Sequence, residues 1–240
     1  MNRCWALLSA LACVSACGDA FGSFISVRDA MGGESPLGSP GGLYLVGTGS
    51  EIRGVVDGSS HHLGSGVFDF ELSLNGGVDW SPLLTFCTDP LQNIGFDDWP
   101  GDQQGLPYEV LQLTNGGITP AEEVILEKLW FHAFAIAQTG TIEAGAFQAI
   151  VWELTEDDTI DLSSGNFSLI ENLPKTTAIG ALARTWLENI ENGTWSQQEP
   201  LMELFHAGSQ NLLIPERWVP APGSTVVMGL GALLAVRRRR

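Results

Sequence analysis

GAFQAIVWEL, Gly145 to Leu154, is apolar on nearly every side and carries one polar residue mid-run, Gln148. Read as a helix, the run sets Ala144, Gln148 and Trp152 four apart on one face, with Phe147 and Val151 beside them. A helix that is apolar all round belongs in a core, so Gln148 is expected to be buried with it. A buried carboxamide costs on the order of a few kcal/mol unless its donors and acceptor find partners. The segment must therefore pack against a group able to meet Gln148. Cys87 is the candidate, the only one of four cysteines that lies beyond the first seventeen residues.

Helical patterning continues on both sides of this stretch. Thr119-Pro120-Ala121-Glu122 reads as a capping box with proline at the first helical position. Behind it Ile125, Leu126, Leu129, Trp130, Ala133 and Phe134 form a broad apolar stripe that Gly140 ends. Thr141 is expected to cap the central helix. A third helix is predicted over roughly Thr177 to Glu191, from Ile179, Leu182, Ala183, Trp186, Leu187 and Ile190, with Gly193 at its C-terminal cap.

Before and after the helices the pattern has period two. Val67 to Leu74 is the clearest strand, with Phe68, Phe70, Leu72 and Leu74 on one side and Asp69, Glu71 and Ser73 on the other. Asn75-Gly76-Gly77 turns the chain into a second strand, Leu83 to Thr88, whose end carries Cys87. Further short strands are expected at Phe24 to Val27, Leu43 to Val46, Tyr108 to Leu113, Leu201 to Phe205 and Leu212 to Ile214. This order predicts an α+β fold: a β-sandwich or barrel-like core with an inserted helical subdomain of about three helices, in one domain over residues 21–216.

The ends read as addresses. Met1 to Ala20 has a basic Arg3, an apolar run from Trp5 to Ala16 and a small-residue site at Gly18-Asp19-Ala20, the pattern of a secretory signal; Val14-Ser15-Ala16-Cys17 leaves a lipid-modified Cys17 open. After Arg217, the segment Pro220-Ala221-Pro222-Gly223 precedes an apolar run from Thr225 to Val236, closed by Arg237, Arg238, Arg239 and Arg240. That run is shorter than the about 20 residues of a full span, but the basic end fits a positive-inside stop. Arg3 and Arg237 to Arg240 are five of the eleven Lys and Arg, and Asp19 one of the 28 acids, which leaves 6 cations against 27 acids between them. So acidic a chain is excluded as a nucleic-acid binder. With the other cysteines in the leader, Cys87 is an unpaired thiol in an exported protein, a liability that needs a reason.

The tail, a Pro motif followed by a short hydrophobic helix and a basic terminus, resembles the PEP-CTERM sorting signal of exosortase substrates. Phe86-Cys87-Thr88-Asp89, followed by Phe147-Gln148-Ala149-Ile150-Val151-Trp152, resembles the thioester domain of bacterial surface proteins. That family pairs an aromatic-Cys-x-Asp segment with a Thr-Gln helix ending in Ile/Val-Trp. A PEP-CTERM-bearing branch has Phe at the Thr position and a Ser-Ser-Gly-Asn-Phe segment, here Ser163 to Phe167. The likeness runs from about Val67 to Leu213. It implies a cross-link in which the Cys87 thiolate displaces ammonia from Gln148, with Asp89, Phe147 and Trp152 in support, and capture of amines on a surface or matrix ligand.

The resulting expectation is an exported cell-surface or matrix protein, at least transiently held in the membrane by its C-terminal helix and handled by exosortase-type machinery. It would adhere or attach covalently rather than turn over a substrate, so no catalytic residue, metal or cofactor is expected. The alternative is a structural matrix or biofilm protein sharing the fold, with Cys87 a small buried hydrophobe and Gln148 bonded to backbone. A cysteine protease would need a histidine by the thiol, and none of His61, His62, His132 and His206 has a matching signature. His61-His62 with Asp57 reads as a solvated Gly/Ser loop rather than a metal site. Glu156-Asp157-Asp158 with Asp161 reads as an acidic turn rather than a calcium loop, lacking EF-hand spacing.

Overall fold

Alternating apolar residues build the strands and the residue 119–191 periodicity the helices. The computed structural model describes residues 24–30, 44–92, 105–157 and 159–219. The expected leader, and Pro220, Pro222 and Arg237 to Arg240 of the sorting signal, lie outside the described residues. The elements are β1 Phe24–Asp29, β2 Ser50–Val56, β3 Ser59–Ser65, β4 Phe68–Ser73, β5 Ser81–Thr85 and β6 Leu106–Gln112, then α1 Pro120–Ala137, α2 Thr141–Glu156, β7 Phe167–Leu169, α3 Pro174–Glu191, β8 Leu201–Phe205 and β9 Leu212–Pro215. The fold is α+β, with two antiparallel sheets and the helices inserted between β6 and β8.

The larger sheet has the order β5-β4-β1-β6-β8-β9. Its two edges meet. Beyond β5, Cys87 pairs antiparallel with Leu212, flanked by Leu213 N–H to Phe86 C=O and Thr88 N–H to Asn211 C=O, each 3.0 Å. This bridge brings the two edges of the sheet together at one point, beyond the end of β5 and at the start of β9. Phe68, Phe70 and Leu72 are buried as their spacing predicts, but Leu74 is 47% exposed. The chain leaves the ladder after Ser73, whose Oγ accepts the Gly77 N–H at 2.8 Å while Asn75 Oδ1 accepts those of Val78 and Asp79.

The smaller sheet, β3-β2-β7, includes a hairpin where a solvated loop was expected. Asp57 and Gly58 both take positive φ, 50° and 74°, as a two-residue turn with the twist of a hairpin requires. His61 and His62 therefore stand in β3, and His62 Nδ1 lies 2.5 Å from Glu51 Oε1. β7 comes from the helical insertion and pairs with β2, so the insertion is stitched to the hairpin. The approach is close: a Cβ on Gly54 would stand 3.1–3.2 Å from Leu63, Phe167 and the Ser168 carbonyl.

The α1 cap is as expected: Thr119 Oγ1 accepts the Glu122 N–H and the Glu122 carboxylate accepts the Thr119 N–H. Thr119→Ala should lower stability by about 1 kcal/mol without changing the fold, measurable as a shift of the urea midpoint. Thr141 does not cap α2; it is the first helical residue, and Gly140 stands at the cap with no side-chain bond. α3 begins at Pro174 rather than Thr177, because proline suits the first helical turn and Thr176 Oγ1 accepts the Leu173 N–H. Every residue of α2 from Ala144 to Leu154 is buried, among α1, α3 and the smaller sheet.

Candidate functional site at the closing seam

The strand alternation that places Leu83 and Thr85 inside places Cys87 with them, and turns Phe86 to the opposite side, toward the helices. Phe86 stacks on Phe147 with centroids 4.2 Å apart, and Trp130 and Phe134 meet Phe147 edge-on at 6.0 and 6.2 Å. This aromatic cluster joins the seam to α1 and α2. It also explains a large apolar residue at position 147.

One face of α2 then follows the Cys87 segment. Gln148 Nε2 donates to the Cys87 carbonyl at 2.8 Å. One turn later the Trp152 indole N–H donates to Cys87 Sγ at 3.3 Å, and Thr155 Oγ1 donates to the Thr88 carbonyl at 2.8 Å. Cys87, Gln148 and Trp152 are each 0% exposed. The Cys87 thiol lies 3.7 Å from the Asp89 carbonyl, which also accepts from Gln210 Nε2 at 3.3 Å. The Asp89 carboxylate faces its own turn, accepting the N–H groups of Leu91 and Gln92. Asp89 thus shapes the loop through its backbone and its cap.

Burial pushes the Cys87 thiol up to about 12; the Trp152 N–H pulls it back and the Asp89 charge adds to the rise. The thiol is therefore neutral at physiological pH. Tyr44, stacked on Phe68 at 4.8 Å, has its phenol raised by burial and then by Cys87. On the outer side Thr88 Oγ1 donates to the buried Glu203 Oε1 at 2.8 Å. Gln148 Oε1 has no hydrogen-bond partner among the described residues. The arrangement is thus a buried thiol and a half-satisfied buried carboxamide on two residues joined through the Cys87 backbone carbonyl, and a condensation between the two side chains would be helped by that proximity. That reaction balances internally: the S–C bond replaces C–N, and the thiol proton leaves with the nitrogen as ammonia.

All five non-tail positions expected to matter, Cys87, Gln148, Asp89, Phe147 and Trp152, stand within this one cluster. Thr155, Tyr44, Gln210 and Glu203 were not anticipated. Thr155 is legible in hindsight as the next position on the Gln148 face, whereas the others arrive from distant strands and turns with no local signal. Cys87 makes no bond to a histidine; His132 stacks on Trp195 and His206 lies against Tyr108. The acidic turn uses its own oxygens, the Asp157 carboxylate accepting the N–H groups of Asn166 and Phe167 and the Asp161 carboxylate accepting the Ser163 N–H and the hydroxyls of Ser163 and Ser164. Among the described residues no group of three or more His, Cys, Asp or Glu could hold a metal ion, and no helix is long and apolar enough to cross a membrane. No protein-family model matches the chain, and comparison with curated proteins and with solved structures gives no match.

Proposed function

We propose that this is an exported bacterial surface protein that attaches to an amine-bearing surface or matrix component through a Cys87–Gln148 thioester. The reading rests on one observation: the Gln148 amide reaches the backbone carbonyl of Cys87 across 61 residues of sequence, with both side chains closed to solvent. A thioester also relieves the site. It consumes the unpaired thiol, and its carbonyl is a weaker acceptor than an amide, so an unpartnered oxygen costs less than Gln148 Oε1 does. Delivery would be through the leader and the PEP-CTERM-like tail, with the protein acting as a binder and not as a turnover enzyme.

The competing reading, a structural matrix component with an unreacted thiol, draws on the same geometry. Gln148 already has a backbone partner, and Trp152 already satisfies Cys87 Sγ. Intact mass separates the two. The covalent reading expects wild-type protein lighter by one ammonia, Cys87→Ala and Gln148→Ala at full mass, and conversion to a methylamine adduct. Full mass in fresh wild-type protein, with one thiol released to a labelling reagent on unfolding, would overturn it in favour of the structural reading.

A further inference from the structure

Glu153 stands one residue beyond Trp152 and is 0% exposed. Its Oε1 accepts the Asp161 N–H, and its Oε2 has no hydrogen-bond partner among the described residues. On the last turn of α2, before the connection to β7, a buried carboxylate with one bare oxygen and, among the described residues, no cation bonded to it is costly. The charged groups that face it are Asp157 and Asp161. Both carry the charge that opposes its ionisation. Arg184 of α3 acts on Asp161 from across the adjoining groove, and Lys128 of α1 and Glu188 of α3 line that groove. Glu156, on the same helix end, faces Asp89, the hairpin-tip Asp57 and Asp157; Asp158 lies outside the described residues.

The turn depends on this one region. Asp157 holds the Asn166 and Phe167 N–H groups at 2.6 and 2.8 Å, Asn166 Nδ2 donates to the Glu156 carbonyl, and the Leu169 N–H reaches the Leu162 carbonyl at 2.8 Å. Gly165, at φ +119°, lets the backbone pass where a Cβ would stand 2.5 Å from the Asp157 carboxylate. Phe167, the first residue of β7, packs edge-on against Trp152 at 5.8 Å.

We propose that Glu153 is a protonation latch on this turn: neutral, it holds the connection from α2 to β7 closed; ionised, it releases that connection and loosens β7 from β2. Burial raises its carboxyl to about 8, with the Asp161 N–H pulling it back and the charges of Asp157 and Asp161 adding to the rise. The latch therefore works across neutral pH. A released β7 withdraws Phe167 from Trp152 and so unpacks one wall of the Cys87 chamber. The latch stands whether or not a thioester forms, because none of its groups takes part in that bond.

The test is hydrogen exchange of the Asp161, Phe167 and Leu169 amides from pH 5 to 8, corrected for the intrinsic rise of exchange with pH, with α1 amides as internal reference. Opening of the turn should increase about tenfold for each pH unit in this window, while those α1 amides that exchange by local fraying, without exposing Glu153, stay constant. In Glu153→Gln, which keeps the acceptor and cannot ionise, the turn should stay protected throughout. Constant turn protection in the wild type, or the same slope in Glu153→Gln, would overturn the proposal. Should Glu153→Gln fail to fold, the wild-type ratio of turn to α1 exchange decides alone.

Discussion

Trp152→Ala is expected to lower the unfolding free energy by about 3–5 kcal/mol, the range for removing a large buried aromatic side chain. Trp152 heads the fully buried side chains by size. Its loss would open a cavity where three parts of the fold meet: the Cys87 seam, α2 and β7. It also removes the donor to Cys87 Sγ, leaving a buried thiol with only its weak contact to the Asp89 carbonyl. Trp152→Phe separates the two effects. It keeps most of the volume and the contact with Phe167 but has no N–H, so it should cost clearly less, and any free thiol should titrate still higher. Urea unfolding of the three proteins measures the first effect. A loss under about 1 kcal/mol for alanine would show that the site relaxes around the gap, and would remove Trp152 as the joint between the layers.

Stability should also fall as pH rises from about 5 to 8. Glu153 titrates near 4.5 when unfolded and at about 8 in the fold. Between those values the folded state holds a proton that the unfolded state has lost, so each step up in pH favours unfolding, by about 1.4 kcal/mol per unit for this one group. The contribution is complete below the unfolded value and gone above the folded one. Glu156, raised to about 7 mainly by burial, adds in the same direction. Thermal unfolding in constant ionic strength reads the sum, and Glu153→Gln should flatten most of it. A midpoint that rises with pH over this range would contradict the assignment. Local release of the turn caps the global loss, so calorimetry and hydrogen exchange read the same proton at two scales.

Much of this was legible from local pattern. The residue 145–154 run announced a buried helix, and a carboxamide there demanded a partner; Thr119 and Glu122 announced a helix start that the structure contains bond for bond. The α+β order followed from two periodicities alone. Other features resisted for identifiable reasons. Leu74 continues the alternation but lies past the last ladder residue, and a pattern does not say where a side-chain bond from Ser73 will end the strand. The Asp57-Gly58 hairpin carried a recognisable turn dipeptide, masked by flanks too rich in Ser, Gly and His to look like strands. The pairing of Cys87 with Leu212 could not be read at all, since it brings together segments more than a hundred residues apart.

That pairing sets how the domain would carry tension. β9 starts at Leu212 beside Cys87, is bonded to β8 along its length, and runs away from Cys87 toward Val219. Under the proposed attachment at Cys87, a pull applied beyond Pro215 along this direction would drag β9 lengthwise past β8. Its ladder bonds are then strained together, in shear, instead of being peeled one at a time.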